Sequence, residues 1–213
     1  MKLFYTMMAG VLFATGLGAG AALAADAPAD DPGKLVKTAA EGMLKDLEAD
    51  REAFRKDPAK MNALVEKYLL PNFDAQYSAR LVLGKHWRTA TEDQRKRFVD
   101  AFYQSLLKNY GSALVEFTSD RLKVFPSQVD AKGDTATVRT EVKRSDGTRI
   151  PVNYTLRKTP NGWKAWDVVI EGISYVKSFR DDFGAEIDQK GLDAVIERIE
   201  KGGKPAPAPG TAS

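Results

Sequence analysis

The side chains able to do chemistry are few, and their spacing assembles no reaction centre. The chain has no cysteine and a single histidine, His86. A zinc site or a Cys–His pair would need ligands and partners that this composition does not supply. His86 sits beside Trp87 just past a glycine-terminated helix, where a lone imidazole is a surface or capping group rather than a base with partners in reach. Asp181–Asp182 and Glu92–Asp93 are adjacent in helical segments, and neighbours in a helix point apart, so neither pair forms an acid/base dyad. Asp167 follows Trp163 and Trp166 on a strand, and an ion pair with Arg139 or Arg157 on adjacent strands is its expected role. No catalytic residue and no metal ligand set is therefore expected. What stands out instead is apolar. The run Gly162 to Tyr175 begins as an alternating strand, with Trp163, Ala165 and Asp167 opposite Lys164 and Trp166. It then turns apolar on both faces at Val168, Val169 and Ile170, and such a strand end needs cover from protein or from a bound apolar ligand.

The elements that must position this strand are legible upstream. Asp31-Pro32 and Asp57-Pro58 each pair an N-cap with a proline at the first helical position. The first helix carries Leu35, Val36, Ala39, Met43, Leu44 and Leu47 on one stripe; the second carries Met61, Leu64, Val65, Tyr68 and Leu69 and ends at Pro71. A third helix from Asp74, with Tyr77 and Leu81 inward, stops at Gly84. Thr91 to Gln94 is a capping box opening the longest helix, which is expected to reach about Phe117. Phe98, Phe102, Leu106, Tyr110 and Leu114 recur at steps of four, widened by Val99, Tyr103 and Leu107. Core packing explains most of this stripe, but tyrosines such as Tyr77 and Tyr103 also suit a site with one apolar and one wet end. From Leu122 the period is two. Strands at Leu122–Val124, 135–144, 149–158 and 163–170 are joined by turns at Ser145-Asp146-Gly147 and Pro160-Asn161-Gly162. Two helices follow Gly172. Helices first and a consecutive antiparallel meander afterwards make an α+β domain with helices packed on the sheet.

Residues 1–25 read as a cleavable secretory signal: Lys2, an apolar stretch to Leu23, and small residues at Ala22-Leu23-Ala24. An exported, cysteine-free chain must be held by its core rather than by disulfides. Residues 26–201 then form one domain, and 202–213 a Pro/Ala/Gly tail without a packed structure. Lys and Arg number 32 against 29 acids, with Lys2 inside the signal. So even a balance argues against nucleic acid as the partner. The expected address is the periplasm, and the expected state a monomer.

Several runs resemble the MlaC family of periplasmic phospholipid-binding proteins. They are Tyr68-Leu69-Leu70-Pro71; Leu81-Val82-Leu83-Gly84; Ala90-Thr91 with Gln94, Phe98, Phe102, Leu106, Tyr110 and Gly111; Trp166-Asp167-Val168 with Glu171-Gly172-Ile173-Ser174; and Lys190-Gly191-Leu192. The resemblance spans roughly residues 33–200. It implies a curved, NTF2-like antiparallel sheet against several helices, with an N-terminal helical lobe. It implies a soluble carrier with no cofactor, its cargo a phospholipid whose acyl chains occupy an apolar pocket. The implied partners are an inner-membrane ABC transporter complex with an MCE-domain protein and an outer-membrane lipoprotein–porin complex. The family's pocket lies between sheet and helices, which places Tyr154, Leu156, Trp166, Val168, Ile170 and Ile173 on the sheet side. Tyr77, Leu81, Phe102 and Leu106 are the helix-side candidates. The Gly172 junction or the segment from Gly84 to Ala90 is the expected moving wall.

The energetics suit such a carrier. About 30 lipid methylenes leaving water gain on the order of 24 kcal/mol at ~0.8 kcal/mol each. Two other readings share the fold class. One is an isomerase- or dehydratase-type enzyme on an apolar substrate, with Asp167 or His86 as base; the other is an adaptor whose interior is filled by its own side chains.

Overall fold

A computed structural model describes residues 31–110, 114–115, 122–143 and 147–203. The expected signal at 1–25 and the expected tail beyond Gly203 lie outside the described residues, as does the expected helix end at Phe117. The chain order is α1 (Pro32–Ala49), α2 (Arg51–Lys56), α3 (Pro58–Tyr68), a short 3-10 turn (Leu70–Asn72), α4 (Ala75–Leu83), α5 (His86–Thr89) and α6 (Glu92–Tyr110). Then come β1 (Leu122–Val124), β2 (Gln128–Val129), β3 (Thr135–Lys143), β4 (Arg149–Thr159), β5 (Gly162–Ile170) and β6 (Ile173–Ser174), before α7 (Tyr175–Lys190) and α8 (Leu192–Glu200).

The start signals act as the sequence predicts. Asp31, Asp57 and Asp74 each accept a backbone N–H in the first turn of their helices. Thr91 Oγ1 accepts from Gln94 N at 3.1 Å, and Gln94 Oε1 accepts from Thr91 N at 2.9 Å, closing the capping box. Four short elements, α2, α5, β2 and β6, carry too few residues to show a period and escape the sequence reading. Gly202 and Gly203, read as the start of the tail, donate to Ile199 O and Arg198 O and close the end of α8.

The sheet is antiparallel in the order β1-β3-β4-β5-β6, with β2 also on β3. Its apolar face is built from Ala136, Val138 and Val142 opposite Leu156, Tyr154 and Ile150. Between β4 and β5 the register slips. Leu156 faces Ala165 and Thr155 faces Asp167, so Trp166 has no cross-strand partner. This bulge reverses the side-chain parity of β5. Val168 pairs with Tyr154 and Ile170 with Val152, on the same face as Ala165 with Leu156. The strand end is apolar on both faces, and the slip exchanges them: Val168 and Ile170 join the face of Ala165, while Val169 takes the other.

The helices form two groups. Phe98 and Phe102 of α6 meet Phe179 and Phe183 of α7, together with Val195 and Ile196 of α8 and Val82 and Leu83 of α4, in one core. Met43, Leu44 and Leu47 of α1 pack on Met61, Leu64 and Val65 of α3 in a second core, the expected N-terminal lobe. Helix α6 belongs to both, because Leu107 lies on a different side of the helix from Phe98 and Phe102. Among the described residues no helix is long and apolar enough to cross a membrane.

Candidate functional site: an apolar cavity between sheet and lobe

The two helical groups do not close completely over the sheet. A cavity of about 340 Å³ remains. It is more than twice the roughly 150 Å³ of an apolar cavity that takes up benzene. Its floor is Tyr154, Leu156, Ala165 and Val168 of the sheet. Leu35, Val36, Ala39 and Ala40 of α1 form one wall, and Val65, Leu69, Leu70 and Phe73 another. Helix α6 adds Tyr103, Leu106 and Leu107, and Tyr175 enters from the start of α7. Among the described residues Asn72 is the one amide side chain in the lining, and it is engaged, donating to Tyr68 O at 2.8 Å.

The walls are pinned from outside. Asp31 binds Gly33 N at 2.8 Å and Ser127 Oγ at 3.2 Å, tying the start of α1 to the loop before β2. On α1 the Asp46 carboxylate accepts from Lys67 Nζ and Tyr68 Oη of α3, both at 2.7 Å, and these bonds hold its pKa below the ordinary carboxylate value. Gly42 permits the contact between these helices: a Cβ there would lie 2.5 Å from Tyr68 Cε1. Phe73 is set against the sheet by Asp74 N donating to Ala165 O at 2.7 Å.

Of the ten residues that the sequence suggests for a pocket, Leu106, Tyr154, Leu156 and Val168 line this cavity. The other six stand elsewhere. Phe102 stacks on Phe98 with ring centroids 5.6 Å apart, inside the core of α6, α7 and α8. Leu81 packs against that same core. Tyr77 meets Trp166 edge-on at 5.8 Å, and Arg157 lies over its ring at 4.4 Å. Ile170 joins Val142, Ile150 and Val152 further along the sheet, and Ile173 is exposed on β6. Of the two expected moving walls, the segment from Gly84 to Ala90 is occupied by α5 and contributes nothing to the lining, whereas Tyr175 beyond Gly172 does. Sequence reasoning missed two walls, α1 and the stretch from Val65 to Phe73. An apolar stripe reads the same whether it meets side chains or open space.

Neither candidate base is placed for catalysis. Asp167 is buried and accepts from Ser174 Oγ at 2.6 Å and from Val176 N at 3.0 Å. It caps α7, where the positive end of the helix dipole favours an anion. The expected arginine pairing does not form: Arg157 binds Asp74 at 2.8 Å, and Arg139 lies over Phe125. His86 Nε2 is buried 3.4 Å from Asp188 Oδ1 without hydrogen-bonding geometry, and Lys85 holds the other oxygen of that carboxylate at 2.7 Å. Among the described residues no three His, Cys, Asp or Glu side chains cluster as a metal site. A second recess, of about 600 Å³, lies by α2, α6 and α8, but Arg55, Asn62, Gln104, Lys108 and Glu200 bring polar groups into it. The lining of the first cavity is the more apolar of the two.

The model of the family described as MlaC protein matches residues 37–201. The toluene tolerance protein ttg2D of Pseudomonas putida is 33% identical over 172 residues, covering 79% of this chain and 80% of that one. The intermembrane phospholipid transport system binding protein MlaC of Haemophilus influenzae is 22% identical over 173 residues, covering 80% and 81%. In fold, the chain is similar to the phospholipid-binding protein of Ralstonia solanacearum, solved in complex with a phospholipid. The TM-score is 0.75 at 24% identity, over 81% of this chain and 97% of that one.

Proposed function

This chain is a member of the MlaC family, and on that footing we propose that it is a non-enzymatic phospholipid carrier of the periplasm. It holds acyl chains in the cavity between sheet and lobe, with the headgroup outside. It passes lipid between an outer-membrane lipoprotein–porin complex and an inner-membrane ABC transporter complex with an MCE-domain protein. The observation that carries the reading is the cavity itself: a space of about 340 Å³ walled by aliphatic and aromatic carbon. Relatives named for phospholipid transport and binding support it. Residues 1–25, which read as a secretory signal, support the compartment.

The test is lipid analysis of organic extracts from the purified mature protein, with the Val168→Asp and Asp167→Asn variants beside it. Val168 lines the cavity and Asp167 does not. A carboxylate facing carbon costs several kcal/mol or draws in water. The expected outcome is diacyl phospholipid in several headgroup classes, lost from folded Val168→Asp and kept in folded Asp167→Asn. An extract without phospholipid, or equal retention in both variants with circular dichroism showing both folded, would reject the reading.

A further inference from the structure

The face of the sheet turned away from the cavity is basic and open. Register puts Lys123 of β1, Arg139, Glu141 and Lys143 of β3, and Arg149 and Arg157 of β4 on one side. The cavity floor at Tyr154 and Leu156 is on the other. No outward residue of β3 or β4 is buried. Helix α1 meets β3 from the opposite side, where Leu35 and Val36 pack with Ala136 and Val138.

The cations on this face outnumber the acids. Glu141 binds Arg149 at 3.3 Å, and Asp74 binds Arg157 at 2.8 Å. Lys123, Arg139 and Lys143 are exposed and have no carboxylate partner among the described residues. Two of them lie over a ring instead, with Lys123 Nζ 4.5 Å and the Arg139 guanidinium 5.9 Å from the centre of Phe125. Lys143 stands directly across from Arg149, and like charges so placed repel. An anion lying over the pair relieves that repulsion.

What the face lacks selects the kind of anion. A protein interface has an apolar centre ringed by polar groups. The large apolar side chains exposed among the described residues are Val129 and Ile173. They stand beside Ala136 and Ile170, on the apolar side of the sheet, and so point away from this face. A layer of cations without an apolar centre matches a surface of phosphates, which attracts each lysine or arginine by its field rather than by fit.

We propose that this face docks on the anionic leaflet of a phospholipid membrane, with Lys123, Arg139 and Lys143 as the docking cations. The hold is weak and salt-sensitive, as suits a few exposed charges. The cavity lies across the sheet, so its walls are left free. The assignment stands apart from the carrier reading.

The purified protein is sedimented with vesicles of phosphatidylcholine, with and without phosphatidylglycerol. Wild type should bind the vesicles that hold phosphatidylglycerol and release them at high salt. Lys123→Gln, Arg139→Gln and Lys143→Gln combined should weaken binding about a hundredfold, at about fivefold per cation, with extracted lipid unchanged. Lys143→Gln alone should weaken it about fivefold without lowering the thermal midpoint, since it ends the opposition to Arg149. Lys45→Gln, Lys56→Gln and Lys60→Gln remove the same charge from exposed sites on α1, α2 and α3 and should leave binding close to wild type. No binding, equal binding to both kinds of vesicle, equal loss in the α1–α3 variant, or wild-type binding by the folded triple variant of the sheet would overturn the assignment. So would association with polyglutamate in place of vesicles, which would give the face to an acidic protein segment. All these outcomes leave the carrier reading standing. Less extracted lipid from the folded triple variant would tie these cations to the cargo and also overturn the docking.

Discussion

Asp167 is a charge kept out of water by two donors, Ser174 Oγ and Val176 N, both at the start of α7. Removing the carboxylate leaves those donors bare. Asp167→Ala is expected to lower stability by about 2–3 kcal/mol, the range for hydrogen bonds to a charged group. Urea denaturation measures this, and a midpoint unchanged from wild type would contradict the capping role. Two tyrosines give a pH response. Burial raises the pKa of both Tyr103 and Tyr154 above the ordinary value of 10.0. The folded state thus holds these protons more tightly than the unfolded chain. That stability is complete below about pH 10 and is lost as the pH climbs through the raised folded values. Alkaline unfolding followed by circular dichroism and tyrosinate absorbance should show the loss, with Tyr103→Phe unfolding at higher pH than wild type. The sequence singles out Asp167 by its tryptophan neighbours, yet not its partner. That partner exists only because Glu171 (φ 51°) and Gly172 (φ 84°) turn the chain back on itself.

Helix α1 is held to α3 by the absence of a side chain. Gly42→Val places a branched group into the ring of Tyr68, where a Cβ alone would come within 2.5 Å. The expected cost is about 1–3 kcal/mol, as for other overpacked contacts. Because α1 also lines the cavity, lipid retention should fall with it. Gly184→Ala in α7 is the control: nothing lies within 4 Å of its Cβ, and the change should stabilise the helix by up to about 1 kcal/mol. Thermal denaturation and lipid extraction of both variants check the pair; retention unaffected by Gly42→Val would free α1 from its role as a wall. At this scale the long helices were readable, because Asp-Pro starts and the Thr91 box are local chemistry. The bulge at Trp166 was not. It is a relation between two strands, and β5 alone gives no sign of the slip.

The way the two helical groups share the sheet predicts where bound lipid tightens the molecule. Helix α1 gives four residues to the lining, whereas α4 and α8 give none. Hydrogen exchange on loaded and stripped protein should therefore show protection in the first half of α1 and across residues 168–176. Helices α4 and α8 should change little. The sequence reading pointed to the helix from Asp74 rather than to α1, and the reverse pattern of protection would restore it. Fold class was legible because helical and strand periods occupy separate segments of the chain, helices as far as Tyr110, strands from Leu122 to Ser174 and helices again from Tyr175. Pocket membership was only partly so: α6 is apolar on two sides, and spacing cannot tell the side that meets Phe183 from the side that meets open space. That open space also has a mechanical meaning. Unfolding abolishes a void, so hydrostatic pressure favours the unfolded chain in proportion to the space the side chains leave unfilled. On the carrier reading, lipid that fills the hollow of about 340 Å³ should raise the pressure at which the chain unfolds.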